Sequence, residues 1–181
     1  MFGKNTTAIA IGILFLLIVS VAIFINNSFN KFSFFAQRLN EIGSELDEEI
    51  RESYLLSLKM TTTKKVCFKD KTHAISAIEK AVSMIPETTK GNEDGVVKAQ
   101  SDLYHAIEQV FVIVEKCENT EGRGVPSSLL VELRKRREKI NKTRETYNQF
   151  VDKYNASIGG FPARIMASIL SLKKKPRFSE N

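Results

Sequence analysis

The longest uninterrupted pattern in the chain is apolar. Residues 8–25 carry no charged side chain, and thirteen of these eighteen residues are Ile, Leu, Phe or Val. At about 1.5 Å per residue, a helix of this length spans about 27 Å, which is close to the thickness of the hydrocarbon core of a bilayer. The pattern predicts a transmembrane helix at residues 8–25, preceded by a short N-terminal tail at residues 1–7.

A cleaved signal peptide is the alternative interpretation of this segment, because signal peptides also have a basic start and an apolar centre. Their apolar run is shorter, however, and small residues precede the cleavage site. Here the run ends in the bulky sequence Ile-Phe-Ile at residues 23–25, which favours a retained, single-pass anchor in the cell membrane. Lys4 and the chain's amino end lie on one side of the segment, and Lys31 and Arg38 lie on the other. This near balance of positive charge leaves the orientation open.

After the membrane segment, apolar side chains recur at helical spacing and predict amphipathic helices. The three successive sets are Leu46, Ile50, Tyr54 and Leu58; Phe68, Ile75, Ile78, Val82 and Ile85; and Leu103, Ile107, Val110, Val114 and Cys117. Loops are predicted at residues 86–95, which are rich in Pro, Thr, Gly, Asn and Asp, and at residues 119–127, which contain Gly122, Gly124 and Pro126. Residues 59–72 contain no strong helix breaker and fit either a turn or one long helix that bends.

A fourth amphipathic helix ends before Pro162, which cannot continue the hydrogen-bond ladder of a helix. Its apolar stripe comprises Leu133, Ile140, Tyr147, Val151, Tyr154 and Ile158. Arg137 and Arg144 interrupt this stripe, and we expect them either to lie at its edge or to meet carboxylates of the early helices. We expect the two tyrosines of the stripe in the core, with Asn148 and Asn155 on the flank.

Four amphipathic helices joined by short loops favour an all-α fold, in which an N-terminal transmembrane helix precedes an antiparallel four-helix bundle at residues 28–162. In such a bundle the fourth helix returns toward the membrane. Residues 163–181 would then lie near the lipid surface, with a short amphipathic helix at residues 163–172 and a basic tail after it. The candidates for contact with anionic lipid are Lys173, Lys174, Lys175 and Arg177.

Charge is distributed unevenly along the chain, whose formal net charge is +6. Residues 28–60 hold four Lys or Arg against six Asp or Glu, whereas residues 132–181 hold thirteen against five. Part of the basic charge is therefore expected to be neutralised by acidic helices inside the fold. The basic run at residues 134–137, with Lys139 and Lys142, lacks a nucleic-acid-binding motif and interleaved aromatic residues, so no nucleic acid partner is expected.

Two histidine motifs provide the strongest case for a metal site. The pairs Asp70-x-x-His73 and Asp102-x-x-His105 lie on helices predicted to be antiparallel, an arrangement similar to the ligand pairs of di-iron bundles. Both histidines fall outside the apolar stripes, whereas such ligands must project inward. Surface histidines are the preferred interpretation, and no metal or other cofactor is predicted.

The sequence offers no other identifiable catalytic group. There is no glycine-rich phosphate loop, and two histidines leave little for a Ser-His-Asp system. Cys67 and Cys117 are predicted at similar heights on neighbouring helices, which permits a disulfide, but two separate buried thiols are the preferred interpretation. We therefore predict no catalytic residue and no small-molecule substrate.

The end of the fourth helix also carries a family resemblance. The spacing of Tyr147, Asn148, Val151, Tyr154, Asn155, Ile158, Phe161 and Pro162 resembles the C-terminal signature of the LemA family of bacterial membrane-anchored helical proteins. The order and spacing of the other helices is also similar over most of the chain. This resemblance implies a single-pass membrane protein with a helical bundle and no assigned catalytic residues.

The functional hypothesis is a non-catalytic, membrane-anchored helical bundle that binds partner proteins or associates with itself. One alternative is peripheral binding of anionic lipid through the basic C-terminal segment. A second alternative is a metal-dependent enzyme that uses the two histidine motifs. The anchor, the repeated amphipathic stripes and the lack of catalytic motifs favour the first hypothesis.

Overall fold

The computed structural model describes residues 2–63, 75–80, 82–83, 93–121 and 127–178. The helices are α1 (Phe2–Thr63), α2 (residues 75–80 and 82–83), α3 (Glu93–Glu121), α4 (Ser127–Gly159) and α5 (Ala163–Ile169). The described residues contain no strand, so the predicted all-α class is confirmed.

Helix α1 continues without a break from the apolar segment into the first amphipathic stripe. Its apolar part is long and hydrophobic enough to cross a membrane, and none of that window is buried within the protein. Residues 59–72 were predicted to form either a turn or one long bent helix. Residues 59–63 belong to α1, which extends through Thr63. Residues 64–74 lie outside the described residues.

Both predicted loop ranges are too long. Helix α3 begins at Glu93, within the loop predicted at residues 86–95, and it ends at Glu121, within the loop predicted at residues 119–127. The Glu-Asp pair at its start is a sequence that helix N-termini favour, because acidic residues suit the positive end of the helix dipole. At its other end the helix persists until the residue before Gly122.

The chain forms two compact units, one of which comprises Leu39–Asp152 and Lys175–Asn181. Its core contains the predicted stripe residues, which are buried on three helices: Leu46 and Ile50 on α1; Leu103, Ile107, Val110 and Val114 on α3; Leu133, Ile140, Tyr147 and Val151 on α4. Met60 and Ile78 extend this core toward α2. The spacing of apolar residues thus identified the buried faces of α3 and α4 correctly. On α1 it was correct only as far as Ile50, because Tyr54 and Leu58 are half-buried whereas Ser53 and Ser57 are buried.

Contacts along α4 give the directions of its neighbours. As residue numbers rise from Arg134 to Asn141 along α4, their partners on α3 fall from Glu115 to Tyr104. The partners on α1 likewise fall, from Glu52 opposite Arg136 to Gly43 beside Tyr147. Helices α1 and α3 are therefore both antiparallel to α4, as an alternating four-helix bundle requires.

The other unit comprises Met1–Arg38 and Lys153–Lys174. Its buried side chains include Phe32 on α1, Tyr154 and Ile158 on α4, and Ala167 on α5. This unit contains both the apolar segment of α1 and the short helix α5.

Helix α5 ends earlier than predicted because a C-terminal cap stops it. Ser171 adopts a left-handed backbone with a φ of 52°. Its N–H donates to the Ser168 carbonyl at 3.1 Å, and the Leu172 N–H donates to the Ala167 carbonyl at 2.9 Å. These two bonds form a Schellman motif, so the predicted helix at residues 163–172 was wrong for its last three residues.

Candidate functional site

Glu49 on α1 is the centre of an ion-pair network with α4. This carboxylate is buried, and it accepts hydrogen bonds from Lys139 Nζ at 2.7 Å and from Arg136 Nη1 at 3.2 Å. The hydrogen bond with Glu49 raises the pKa of Lys139. Burial lowers the pKa of Arg136, but the charges of Glu52, Glu49 and Glu132 outweigh this effect and leave it raised.

A second set of ion pairs joins α4 to α3. Arg137 Nε lies 2.8 and 2.9 Å from the two carboxylate oxygens of Glu108, and its guanidinium lies 4.7 Å from the centre of the Phe111 ring. Arg134 Nη2 donates to Glu115 at 2.8 Å. Of the two alternatives for Arg137, pairing with a carboxylate of the early helices is not observed: its partner Glu108 is on α3, and its side chain is 41% exposed, as expected at the edge of the stripe.

Most of the basic run consequently faces acidic helices. Arg134 and Arg137 pair with α3, whereas Arg136 and Lys139 pair with α1. Adjacent residues on a helix point about 100° apart, which is why Arg136 and Arg137 serve different neighbours. The prediction that part of the basic charge is neutralised inside the fold is confirmed.

A small polar cluster lies between these ion pairs and the core. The Tyr104 hydroxyl donates to Asn141 Oδ1 at 2.8 Å, and the Arg144 guanidinium lies 5.3 Å from the centre of the Tyr104 ring. The nearby Ser53 Oγ is buried without a hydrogen-bond partner in the described structure. Burial, and then the negative charge of Glu108, raise the pKa of Tyr104 to about 12.

This raised pKa predicts a specific loss of stability in alkali. A tyrosine titrates near pH 10 when unfolded, so the stabilisation from neutral Tyr104 is complete below pH 10 and is lost as the pH rises through about 12. The loss should be on the order of 2 to 3 kcal/mol. Denaturation curves between pH 9 and pH 12 should show this decline for the wild type, and a shallower decline for Tyr104→Phe. An equal decline of the free energy of unfolding with pH in the two proteins would contradict the attribution of this loss to Tyr104.

An open groove runs between α1 and α4, with a volume of about 530 Å³. Leu55, Leu56 and Leu129 form the apolar part of its lining, which we call the leucine floor. The charged part of its lining, which we call the rim, comprises Glu52, Lys59, Glu132 and Arg136. Leu55 is 53% exposed, and with the neighbouring leucines it forms an apolar patch among charged side chains, which makes this groove the leading candidate for a protein-binding surface.

The residues of the family signature differ in how deeply they are buried. Tyr147, Val151, Tyr154 and Ile158 are buried as expected. Asn148 is also buried, with 3% of its surface exposed, so its expected place on the flank was wrong. Asn155 is half-buried. Phe161 is 86% exposed, and Pro162 forms the N-cap of α5.

The burial of Asn148 is explained by the C-terminal segment, which sequence reasoning treated as a basic tail. Asn148 Oδ1 accepts a hydrogen bond from the Phe178 N–H at 2.8 Å, and Asn148 Nδ2 donates to the Phe178 carbonyl at 3.0 Å. Arg177 Nη1 lies 2.6 Å from Asp152 Oδ2. Arg177, predicted as a lipid contact, is thus in an ion pair, whereas Lys173 and Lys174 are exposed and Lys175 is half-buried.

The candidate metal motifs are described only in part. Asp70 and His73 lie outside the described residues. Asp102 is half-buried, and His105 Nε2 is buried without a hydrogen-bond partner in the described structure. Within the described part of the chain, no three His, Cys, Asp or Glu side chains are placed to hold a metal ion. Pairing of Cys67 with Cys117 also lies outside the described side chains.

A family model described as "LemA family" matches residues 44–181, about three quarters of the chain. The match begins within α1, after the apolar segment, and includes the groove, the polar cluster and the C-terminal segment. No curated protein and no solved structure matches the chain.

Proposed function

The chain belongs to the LemA family, and on this basis we propose that it is a non-catalytic, membrane-anchored helical bundle that binds a helix of a partner protein. The observation that supports binding is the groove between α1 and α4, where Leu55 is exposed beside other leucines. Exposed apolar surface within a charged rim is typical of protein interfaces. An amphipathic helix suits this groove because its apolar face can cover the leucines while its polar flanks meet the rim.

The apolar segment of α1 supports membrane anchoring. Its large side chains are exposed, including Ile11, Phe15 and Leu16. A continuous apolar surface of this extent is unfavourable in water and favourable in lipid. A single-pass anchor would also keep the groove close to other membrane proteins.

A pair of matched substitutions tests the groove. Leu55→Glu places a charge on the leucine floor and should abolish most crosslinking to the partner. Val112→Glu makes the same change on the exposed surface of α3, at a residue outside the groove. Both sites are exposed, so the free energy of unfolding should change by no more than about 0.5 kcal/mol. Crosslinked products of the tagged full-length protein, measured in cells that naturally express it, provide the comparison.

Two outcomes would contradict this proposal. Crosslinking that survives Leu55→Glu would show that the leucine floor is not the contact. Crosslinking that Val112→Glu reduces equally would indicate a general surface effect rather than a defined groove. Unfolding curves of both variants in detergent provide the control for stability.

Contact with the lipid surface is a second candidate function, and the orientation of α5 favours it. The small residue Ala167 is buried, whereas Ile165 and Ile169, one turn apart on another face, are 54% and 69% exposed. A helix that turns its larger apolar side chains outward is better suited to a membrane interface than to water. Lys173 and Lys174 follow this helix and would attract anionic headgroups.

Tryptophan fluorescence tests this second function, because the chain contains no Trp. In vesicles with brominated acyl chains, Ile169→Trp should be strongly quenched, whereas Glu145→Trp on the bundle should not. Replacing Lys173 and Lys174 by Ala should weaken the quenching of Ile169→Trp in anionic vesicles, and added salt should have a similar effect. Equal quenching at positions 169 and 145 would contradict contact of α5 with lipid.

A further inference from the structure

The C-terminal segment contacts the bundle through Arg177 and Phe178. Residues 172–178 belong to no helix or strand, yet Phe178 is 1% exposed and is among the largest fully buried side chains. A segment without secondary structure is held only by the groups it contacts. The contacts of residues 177 and 178 therefore define what the bundle recognises.

Asn148 recognises the backbone of Phe178. Its side-chain amide bonds to both the N–H and the carbonyl of the same residue, at 2.8 and 3.0 Å. A neighbouring β-strand would satisfy these two groups in a similar way. Because both groups belong to the main chain, this contact requires an extended peptide but no particular side chain.

Two further contacts depend on the side chains. The ring of Phe178 packs edge-to-face against Tyr104, with 6.4 Å between ring centres. Arg177 Nη1 pairs with Asp152 Oδ2 at 2.6 Å. Backbone, aromatic and charged groups on two consecutive residues are thus each matched by a separate residue of α3 or α4, which is how peptide-binding sites achieve specificity.

We propose that Tyr104, Asn148 and Asp152 form a recognition site for an extended Arg-Phe segment, and that the C-terminal segment of a second copy can replace the chain's own. None of the three site residues belongs to the segment, so an identical segment from another copy makes the same contacts. Anchoring in one membrane would raise the local concentration of such segments. This exchange goes beyond the proposed groove and shares no residue with it.

Binding of a free peptide tests the site directly. The probe is a fluorescent peptide with the sequence of residues 172–181, added to the full-length protein in detergent. Phe178→Ala removes the buried ring of the protein's own segment and should expose the site, so this variant should bind the peptide at least about tenfold more tightly than the wild type. In the Phe178→Ala background, Asn148→Leu should weaken binding at least about tenfold, because two buried backbone groups lose their partners.

Peptide controls separate recognition from nonspecific attraction of a basic peptide. A peptide in which the residue equivalent to Phe178 is Ala keeps every positive charge and should bind at least about tenfold more weakly. Circular dichroism of each protein variant establishes that the bundle is folded. Equal binding of the two peptides, or binding to the Phe178→Ala protein that Asn148→Leu leaves unchanged, would overturn the recognition site.

Exchange between copies is tested with two differently tagged full-length chains in one membrane. This experiment also tests the recognition site when the free peptide binds too weakly to measure. One copy carries Phe178→Ala and keeps its site, while the other carries Asn148→Leu and keeps its segment. This complementary pair should copurify several-fold more than two copies that both carry Phe178→Ala. Equal copurification would overturn exchange, and retention of the complementary pair after Leu55→Glu would distinguish exchange from binding in the groove.

Discussion

Replacing Leu14 and Ile18 by arginine should move the protein from the integral membrane fraction to the soluble or peripheral fraction. Both side chains lie near the middle of the apolar segment and are exposed. Each arginine at the centre of a transmembrane helix costs about 2.5 to 3.5 kcal/mol. The thirteen Ile, Leu, Phe and Val residues of the segment contribute roughly 4 to 8 kcal/mol in favour of insertion, so two arginines remove most of the driving force.

The matched control is the double substitution of Leu14 and Ile18 by alanine, which shortens the same side chains without adding charge. This control should remain resistant to extraction at alkaline pH, whereas the arginine variant should be extracted. Resistance of the arginine variant would contradict a membrane span at residues 8–25. The fractions are measured by immunoblotting after carbonate extraction and centrifugation.

Shortening Leu133 should cause a large loss of bundle stability. Leu133→Ala removes a side chain that is 2% exposed and that belongs to the core cluster with Met60, Ile78, Val110 and Val114. A leucine-to-alanine change in such a core costs about 2 to 5 kcal/mol, because a cavity adds to the lost burial. Leu55→Ala removes the same atoms at an exposed site and should cost less than about 1 kcal/mol.

Denaturant unfolding of the two variants in detergent, followed by circular dichroism, measures this difference. The midpoint should fall for Leu133→Ala while the slope with denaturant is unchanged, since the surface exposed on unfolding is nearly the same. A smaller loss for Leu133→Ala than for Leu55→Ala would contradict the assigned core. The Leu55→Ala result also shows whether a change in crosslinking at this site reflects stability.

The buried faces of the bundle could be predicted from the sequence because burial of a regular helix repeats with its period. Leu46, Leu103, Ile140 and Val151 are members of stripes that recur every three or four residues, and all four are buried. Such a stripe can be identified without knowing which helix covers it. The partner of Arg137 could not be identified in this way, because early carboxylates and Glu108 on α3 were both compatible with its place on α4.

The contacts of the C-terminal segment were beyond prediction from periodicity. Phe178 follows a run of basic residues and belongs to no repeating stripe, so its burial has no local signal. Asn148 lies thirty residues earlier, and its polar side chain suggests a flank until its two backbone bonds are known. The end of α5 was missed for a related reason, since a serine with a left-handed backbone replaces the glycine that usually marks such a cap.

The position of Tyr104 has a practical consequence for optical measurements. Its ring lies 6.4 Å from that of Phe178 and 5.3 Å from the guanidinium of Arg144. A tyrosine fixed in such an asymmetric setting produces a near-ultraviolet dichroic band, and with no indole in the chain no stronger chromophore obscures it. Tyr147 and Tyr154 are also buried and contribute to the same band, so the change in this band on Phe178→Ala is the label-free measure of whether Phe178 packs against Tyr104.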